Sequence, residues 1–174
     1  MPELVAPAVR LRSAWLEAHA EWGPGVHEDG FGLGPFDDVG SAAGFAAWVR
    51  RLLDESSGVG SAGRCTYRWI VDGERVLGGI ALRHGGGADV REVGHIGFGI
   101  RPSARGRGLA TWALGRMVDE ARGFGMSRVL VVCAADNVAS AKTIERCGGV
   151  LEGVVETGLG PARRYWIAVD GLRE

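Results

Sequence analysis

The most informative part of the chain reads Gly97-Phe-Gly-Ile-Arg-Pro-Ser-Ala-Arg-Gly-Arg-Gly-Leu-Ala-Thr111. Its first four residues complete a predicted strand from Gly94 to Ile100, and Pro102 ends that strand because proline cannot donate to a ladder of hydrogen bonds. A short basic turn rich in glycine follows, and apolar residues then recur at helical spacing from Ala110 to Ala121. The stretch therefore predicts a strand, a turn and a helix in succession.

The turn has the features of a phosphate-binding loop. The first amide groups of a helix lack intrahelical acceptors and carry the positive end of the helix dipole. Gly106 and Gly108 have no Cβ, which lets a phosphate approach the backbone closely, and Arg105 and Arg107 add positive charge at the rim. The alternative is a surface turn that uses glycine only for its shape.

Two other phosphate-binding motifs fit this stretch less well. A P-loop requires Gly-Lys-Ser/Thr, but the single lysine of the chain, Lys142, follows Ala141. The run Gly106-x-Gly108-x-x-Thr111 is close to the dinucleotide fingerprint, with Asp136 as a candidate ribose ligand. That fingerprint begins directly after its strand and ends in glycine or alanine, so a dinucleotide-binding oxidoreductase stays the weaker alternative.

Length and composition indicate one ordinary soluble domain. The chain has 174 residues, of which 46% are hydrophobic and 24% charged, and its formal net charge is −1. The balanced charge argues against binding to nucleic acid or a membrane surface, and no apolar run is long enough to span a bilayer. Three cysteines without CxxC spacing, and no visible secretory signal, favour the cytoplasm. Four histidines without ligand spacing argue against a metal site.

The order of helical and strand patterns predicts a single α/β domain over residues 1–174. Two amphipathic helices and a glycine-rich loop at 23–40 indicate a helical part over residues 1–65. Residues 66–174 begin with a hairpin pattern and then alternate between helical and strand patterns, which indicates a sheet. The predicted helices are 11–22, 42–53, 110–121 and 137–147, and the predicted strands are 66–71, 76–83, 94–100, 128–133, 150–155 and 163–169.

Several motifs resemble those of the GNAT N-acetyltransferases. Arg105-x-x-Gly108-x-Ala110 is similar to the family's acetyl-CoA signature Q/R-x-x-G-x-G/A. Ile100-Arg-Pro resembles the exit of the preceding strand, and Asn137-Val-Ala-Ser140 followed by Glu145-Arg-Cys-Gly148-Gly149 resembles the block after the next strand. The motifs occur in family order over residues 66–169. The stretches His95-Ile-Gly-Phe-x-Ile-Arg-Pro-Ser103, Gly148-Gly-Val-Leu-Glu152 and Arg163-Arg-Tyr-Trp-Ile167 resemble one subgroup of predicted bacterial acetyltransferases.

The resemblance implies a mixed, strongly twisted β-sheet with helices on both faces and acetyl-CoA as the co-substrate. The strands at 94–100 and 128–133 would diverge, and the pantetheine arm would pair with the first of them. Acetyl would pass directly from the thioester to an amine of a small-molecule or peptide acceptor. The residues implied to contact the cofactor are Phe98, Gly99, Ile100, Arg105, Gly106, Arg107, Gly108, Leu109, Ala110, Thr111, Asn137, Ser140 and Lys142.

The family's proton-transfer residues are absent from their expected positions. The tyrosine that commonly protonates the leaving thiolate corresponds to Ile144, and the usual strand glutamate falls at or near Gly94. His95 and Glu92 are therefore the candidate catalytic bases, His95 because it titrates near neutral pH, and Tyr165 is a further candidate. The alternative roles are a structural histidine, a solvated carboxylate and a core tyrosine.

The missing tyrosine leaves a second class of function open, a non-catalytic sensor that binds acyl-CoA. Cys133 at the end of a central strand suggests an acyl-cysteine intermediate, but a buried inert cysteine is the favoured reading because cysteine is among the most buried residue types. The identity of the acceptor depends on loops whose structure the sequence does not predict. A homodimer is expected only because dimers are the commonest oligomers of soluble proteins.

Overall fold

The computed structural model of the protein describes residues 1–23, 30–58 and 64–170. Ser41 and Asn137 are helix N-caps whose side chains accept from the Gly44 and Ser140 amides. The strands are β1 (Pro2–Val5), β2 (Cys65–Asp72), β3 (Arg75–Arg83), β4 (Ile96–Ile100), β5 (Arg128–Ala134), β6 (Val150–Thr157) and β7 (Gly160–Ala168). The helices are α1 (Arg12–Trp22), α2 (Ala42–Ser57), α3 (Ala88–Val93), α4 (Leu109–Gly123) and α5 (Val138–Arg146), with 3-10 turns at Val9–Leu11 and Pro102–Ala104.

Within these residues the strands form one sheet in the order β1-β2-β3-β4-β5-β7-β6. Neighbouring strands are antiparallel except β4 and β5, which are parallel and share one matched pair, Ile96 with Val131. By contrast, β5 and β7 match over seven pairs, from Arg128–Ala168 to Ala134–Ala162. The predicted mixed sheet is confirmed, and its two halves are joined by very little backbone pairing at its centre.

Each face of the sheet is covered by a different pair of helices, as predicted. One face packs against the apolar sides of α4 and α5, where Leu114 and Ile144 are fully buried. The other face packs against α1 and α2 through a cluster of aromatic rings, in which Trp15 lies 4.7 Å from Trp48 between ring centroids. Alternate residues of a strand point to opposite faces, so both helix layers bury side chains from the same strands.

The structure differs from the sequence prediction in two short elements. Strand β1, which pairs with β2 at one edge of the sheet, lies in a segment for which no strand was predicted. The predicted strand 94–100 begins only at Ile96, and the preceding residues form α3, so Glu92 lies on a helix rather than at a strand edge. Of the predicted loop 23–40, residues 30–40 contain no helix or strand, and residues 24–29 lie outside the described residues.

Two helical glycines are predicted to respond in opposite ways to replacement by alanine. A Cβ at Gly44 would lie 1.9 Å from the Asp38 carbonyl oxygen and would disturb the bond from its own amide to the N-cap Ser41. A Cβ at Gly115 in α4 would meet no atom within 4 Å. Gly44→Ala should therefore lower the free energy of unfolding by about 1–3 kcal/mol, whereas Gly115→Ala should raise it by about 0.5–1 kcal/mol. Urea unfolding of both variants measures this, and two shifts of the same sign would contradict the packing at α2.

Candidate active site

The backbone of β4 faces an opening in the sheet on one side. The Arg83 amide donates to the His95 carbonyl at 2.7 Å, and the Arg101 amide donates to the Leu77 carbonyl at 2.8 Å. Odd-numbered residues of this segment therefore direct their backbone groups towards β3, and Phe98 directs its N–H and C=O the other way. On that side β5 has no residue matched to Phe98, because the strands share only the pair at Ile96. An extended ligand can therefore pair with β4 at Phe98.

The turn between β4 and α4 leaves a helix start without a side-chain cap. Gly108 is the N-cap residue of α4, and no side chain accepts a hydrogen bond from the first turn. Gly106 and Gly108 each have a φ of +75°, in the left-handed region that disfavours other residues. A Cβ built on either glycine would meet no protein atom within 4 Å. The amides of Leu109 to Thr111 thus begin the helix next to open space, where an anion can bind.

Two arginines of the turn are bound to its own backbone. The Arg105 Nε atom donates to the Ile100 carbonyl at 2.9 Å, and an Arg107 Nη2 atom donates to the Ser103 carbonyl at 3.2 Å. The predicted rim charges are therefore also braces of the loop. Because Arg105 occupies the Ile100 carbonyl, the Ile100 amide and both backbone groups of Phe98 are the ones directed into the opening.

The start of α5 lies directly beyond the carboxyl end of β5. Asn137 is its N-cap, and the side-chain oxygen accepts a hydrogen bond from the Ser140 amide at 3.1 Å. Asn137 therefore has a capping role in α5. Ser140 is half-buried, whereas Lys142 is exposed on the surface of α5.

His95 lies at the start of the strand segment with both ring nitrogens engaged. Its Nδ1 atom accepts from the Leu130 amide at 2.8 Å, which leaves Nε2 as the protonated nitrogen that donates to the Gly85 carbonyl at 3.0 Å. The residue is 8% exposed, and burial lowers the pKa of His95 below its usual value. The ring therefore links β5 to the segment before α3 in its neutral form.

Glu92 lies on α3 at the edge of a groove of about 420 Å³ between that helix and the β6–β7 hairpin. Arg164 of β7 forms one wall, where its Nη1 atom donates to the Arg91 carbonyl and its Nε atom donates to a Glu152 carboxylate oxygen at 2.7 Å. Glu92 itself is exposed. The groove is lined by Arg91, Glu92, Val155, Glu156, Thr157, Gly158 and Arg164.

Residues next to the groove contact β5 close to its single matched pair with β4. Gly94 connects α3 to β4, and a Cβ on Gly94 would lie 2.8 Å from the Leu130 carbonyl of β5. On the other side, Arg164 is matched to Val132 of β5. The structure thus places Glu92 on the helix that precedes β4, and beside it Arg164, which the sequence analysis did not single out as a site residue and whose partners are 12 and 73 residues away.

The other candidates for proton transfer lie in the core on the α4 side. Ile144 is fully buried and has no group that could donate a proton. The Tyr165 hydroxyl donates to a Glu145 carboxylate oxygen at 2.9 Å, and burial raises the pKa of Tyr165. Cys133 is half-buried, and burial raises the pKa of its thiol as well, which keeps it protonated at neutral pH.

Two kinds of feature do not occur among the described residues. No group of three or more histidine, cysteine, aspartate or glutamate side chains is arranged to hold a metal ion within them. In the same part of the chain, every helix is too short or too polar to cross a bilayer.

A diverging pair of parallel strands beside an uncapped helix start is the arrangement expected of an acyl-CoA-dependent transferase. A family model described as an acetyltransferase (GNAT) domain matches residues 13–150. The chain therefore belongs to the GNAT acetyltransferase family, which uses acetyl-CoA as the acyl donor. This membership replaces the dinucleotide-binding alternative for residues 106–111.

Solved structures share the fold at low sequence identity, which confirms the predicted fold class. RimJ of Mycobacterium smegmatis with a CoA disulfide matches with a TM-score of 0.77 and 17% identity, over 99% of this chain and 84% of that chain. An acetyltransferase of Salmonella typhimurium that modifies the N-terminal serine of a 50S ribosomal subunit protein matches with a TM-score of 0.72 and 16% identity, over 97% of this chain and 95% of that chain. A microcin self immunity acetyltransferase with acetyl-CoA and AMP matches with a TM-score of 0.71 and 17% identity, over 96% of this chain and 92% of that chain. No curated protein sequence matches the chain.

Replacing Gly108 by valine is predicted to weaken CoA binding beyond its effect on folding. Gly125 is the matched control, since its φ is +78° and a Cβ there also meets no atom within 4 Å. Each substitution should cost about 1–3 kcal/mol of stability, because a branched residue is strained at positive φ. Only Gly108→Val should also raise the Kd for CoA, by at least tenfold, because its side chain fills the space at the helix start. Calorimetric titration measures the Kd for CoA of both variants. Equal CoA affinity in the two variants would contradict the assignment of the loop.

The buried neutral state of His95 predicts a pH dependence of stability. In the unfolded chain a histidine titrates near pH 6.5, and the folded protein holds the pKa of His95 lower. Below about pH 6.5 the unfolded chain therefore binds the extra proton, and the stability that is fully present at higher pH falls as the pH decreases. Urea unfolding at pH 7.5 and 5.5 should show a smaller decrease for His95→Gln than for the wild type. Burial lowers the pKa of His84 too, so His84 accounts for part of the decrease in stability that persists in His95→Gln. Identical decreases in the two proteins would contradict the observed hydrogen bonds.

Proposed function

We propose that the protein transfers the acetyl group of acetyl-CoA directly to a primary amine held in the groove between α3 and the β6–β7 hairpin. The observation that carries this proposal is the opening at Phe98, where unmatched backbone of β4 is followed by the turn to the uncapped start of α4. The groove lies on α3, the helix that ends just before β4. These three features supply one path for a cofactor and a separate approach for an acceptor.

The cofactor would lie along the opening with its charged end on the glycine-rich turn. The pantetheine arm would pair with the backbone of Phe98, and the pyrophosphate would accept hydrogen bonds from the amides between Gly106 and Thr111. Gly99 gives the arm room beside Phe98. Ser140 and Asn137 at the start of α5 would flank the arm. Lys142 is exposed on α5 and would contact the cofactor only through one of its phosphates.

The acceptor amine would enter the groove as a cation and react as a neutral amine. Glu92 and Glu156 place two carboxylates at the groove beside Arg91 and Arg164, and Arg164 is already paired with Glu152. Either carboxylate could pair with a protonated amine. Glu92 would take the ammonium proton; the amine nitrogen then attacks the thioester carbon, the C–N bond forms and the C–S bond breaks. The thiolate departs and takes up the second amine proton. A dedicated acid at the position of Ile144 is less necessary because a thiolate, whose conjugate thiol has a low pKa, is a weak base and a good leaving group.

His95 would position the site rather than abstract the proton. Both of its ring nitrogens are already hydrogen-bonded, so a base at this position would first have to release Leu130 or Gly85. By holding β5 and the segment before α3 together, His95 would keep Glu92 at the rim of the groove. The original hypothesis of a catalytic His95 is tested by the acidic limb of the pH profile.

The acceptor is proposed to be an amine carried on a small molecule or a peptide, in the cytoplasm. The solved relatives include one that acts on the N-terminal serine of a ribosomal protein, which supports a peptide N-terminus as one candidate. A second function, a non-catalytic sensor of acyl-CoA, is favoured by one observation, the buried isoleucine at the position of the usual tyrosine.

An amine panel with acetyl-CoA, scored by release of free CoA, tests the proposal. We expect turnover with at least one peptide or small amine, and Glu92→Gln should lower kcat/KM about a hundredfold, the lower bound for a positioned base. Glu74→Gln, an exposed glutamate in the β2–β3 turn, is the control and should not change it. His95→Gln should keep the acidic limb of the pH profile. CoA binding without turnover on any amine would favour the sensor, and loss of the acidic limb in His95→Gln would restore His95 as the base.

A further inference from the structure

A buried arginine joins the end of β4 to α1 on the opposite face of the sheet from α4. Arg101 directly follows β4 and is 2% exposed. One of its Nη atoms donates to Glu17 and to Glu21, each at 2.9 Å, and the other donates to the Val76 carbonyl at 3.1 Å. A buried guanidinium needs such partners because an unpaired charge in the interior is strongly unfavourable.

The two glutamates differ in what else they bind. Glu17 contacts Arg101 and has 65% of its side chain exposed. Glu21 also accepts from the Ser103 amide at 2.9 Å and from the Ser103 hydroxyl at 2.8 Å. Its hydrogen bonds to Arg101 and then to Ser103 lower the pKa of Glu21 to about 2, so it is ionised throughout the range of any assay. Glu21 therefore caps the 3-10 turn that leads into the glycine-rich loop.

Two arginines of the loop that begins at this turn brace it from within. The Ser103 carbonyl accepts from Arg107, and the Ile100 carbonyl accepts from Arg105. Ala104 packs in the core beneath the turn. Among the described residues, Glu21 is the side chain from outside the loop that hydrogen-bonds Ser103, and it also bonds Arg101. A carboxylate of α1 thus contacts the turn from which the loop leaves β4.

We propose that Glu21 is a positioning residue for the phosphate-binding loop. Its carboxylate fixes Ser103 and Arg101 together, and so sets the direction of the amides between Gly106 and Thr111 towards the cofactor pyrophosphate. The inference rests on the proposed role of that loop. Without the carboxylate, the fold keeps its opening at Phe98, but the loop loses its fixed angle to β4. Binding of the charged end of CoA is then weakened, while pairing of the pantetheine arm is unchanged.

Binding of CoA and of pantetheine, which lacks the pyrophosphate, to Glu21→Gln and Glu17→Gln tests this. Calorimetry gives the Kd for CoA, and ligand-observed NMR gives the Kd for pantetheine. Glu21→Gln should bind CoA about tenfold more weakly, as expected when hydrogen bonds to a charged group are lost, and pantetheine within twofold of the wild type. Glu17→Gln removes an equal charge from Arg101 and should change neither Kd by more than twofold. Ser103→Ala, which keeps every bond of Arg101, should weaken CoA binding about threefold and is the variant to use if Glu21→Gln does not fold.

Three results would overturn the inference. Kd values for CoA and pantetheine that stay at the wild-type level in Glu21→Gln would show that CoA affinity does not depend on Glu21. Equal weakening of CoA and pantetheine would mean that Glu21 supports the fold in general and does not act on the loop. Equal effects of Glu17→Gln and Glu21→Gln would assign the role to the charge on Arg101 instead of the turn. Failure of the wild type itself to bind CoA through its pyrophosphate is a different result, because it contradicts the proposed function of the loop.

Discussion

Between β4 and β5 the sheet makes one matched pair, Ile96 with Val131, and the candidate site depends on that incomplete pairing. A parallel pair continued over the whole of β4 would consume the backbone groups of Phe98. Because the strands diverge after the first residue, those groups face an opening inside the domain. The two halves of the sheet stay together through the helices that cover both faces, through His95 and its bond to Leu130, and through α3.

The second constraint is the sharp turn between β4 and α4. Two left-handed glycines, Gly106 and Gly108, bring the chain from a strand into a helix and leave no side chain over the first helical amides. The backbone of such a loop does not by itself determine the angle between the loop and β4. Braces from Arg105, Arg107 and, across the sheet, Glu21 supply that definition. An anion site made of backbone amides thus depends on ionised side chains that need not touch the anion.

The parts that the sequence predicts well are those governed by local chemistry. The glycines, Pro102 and the apolar spacing after Leu109 lie in one continuous stretch, 97–121, so the strand, turn and helix of the loop follow from the residues themselves. The two bonds of His95, to residues 35 and 10 positions away, depend on tertiary packing and have no local pattern. The same holds for Arg101 and Glu21, 80 positions apart. Strand β1 and helix α3 are too short to show a period, which explains why the sequence analysis predicted neither of them.

The central claim is that the opening beside Phe98 and the amides after Gly106 form one continuous binding site for the cofactor. A crystal structure of the protein with CoA measures this directly. We predict hydrogen bonds between the pantetheine arm and the backbone N–H and C=O of Phe98, together with pyrophosphate oxygens within hydrogen-bond distance of the amides between Gly106 and Thr111. A CoA molecule bound elsewhere, with the opening empty and the helix start in contact with solvent, would contradict the account.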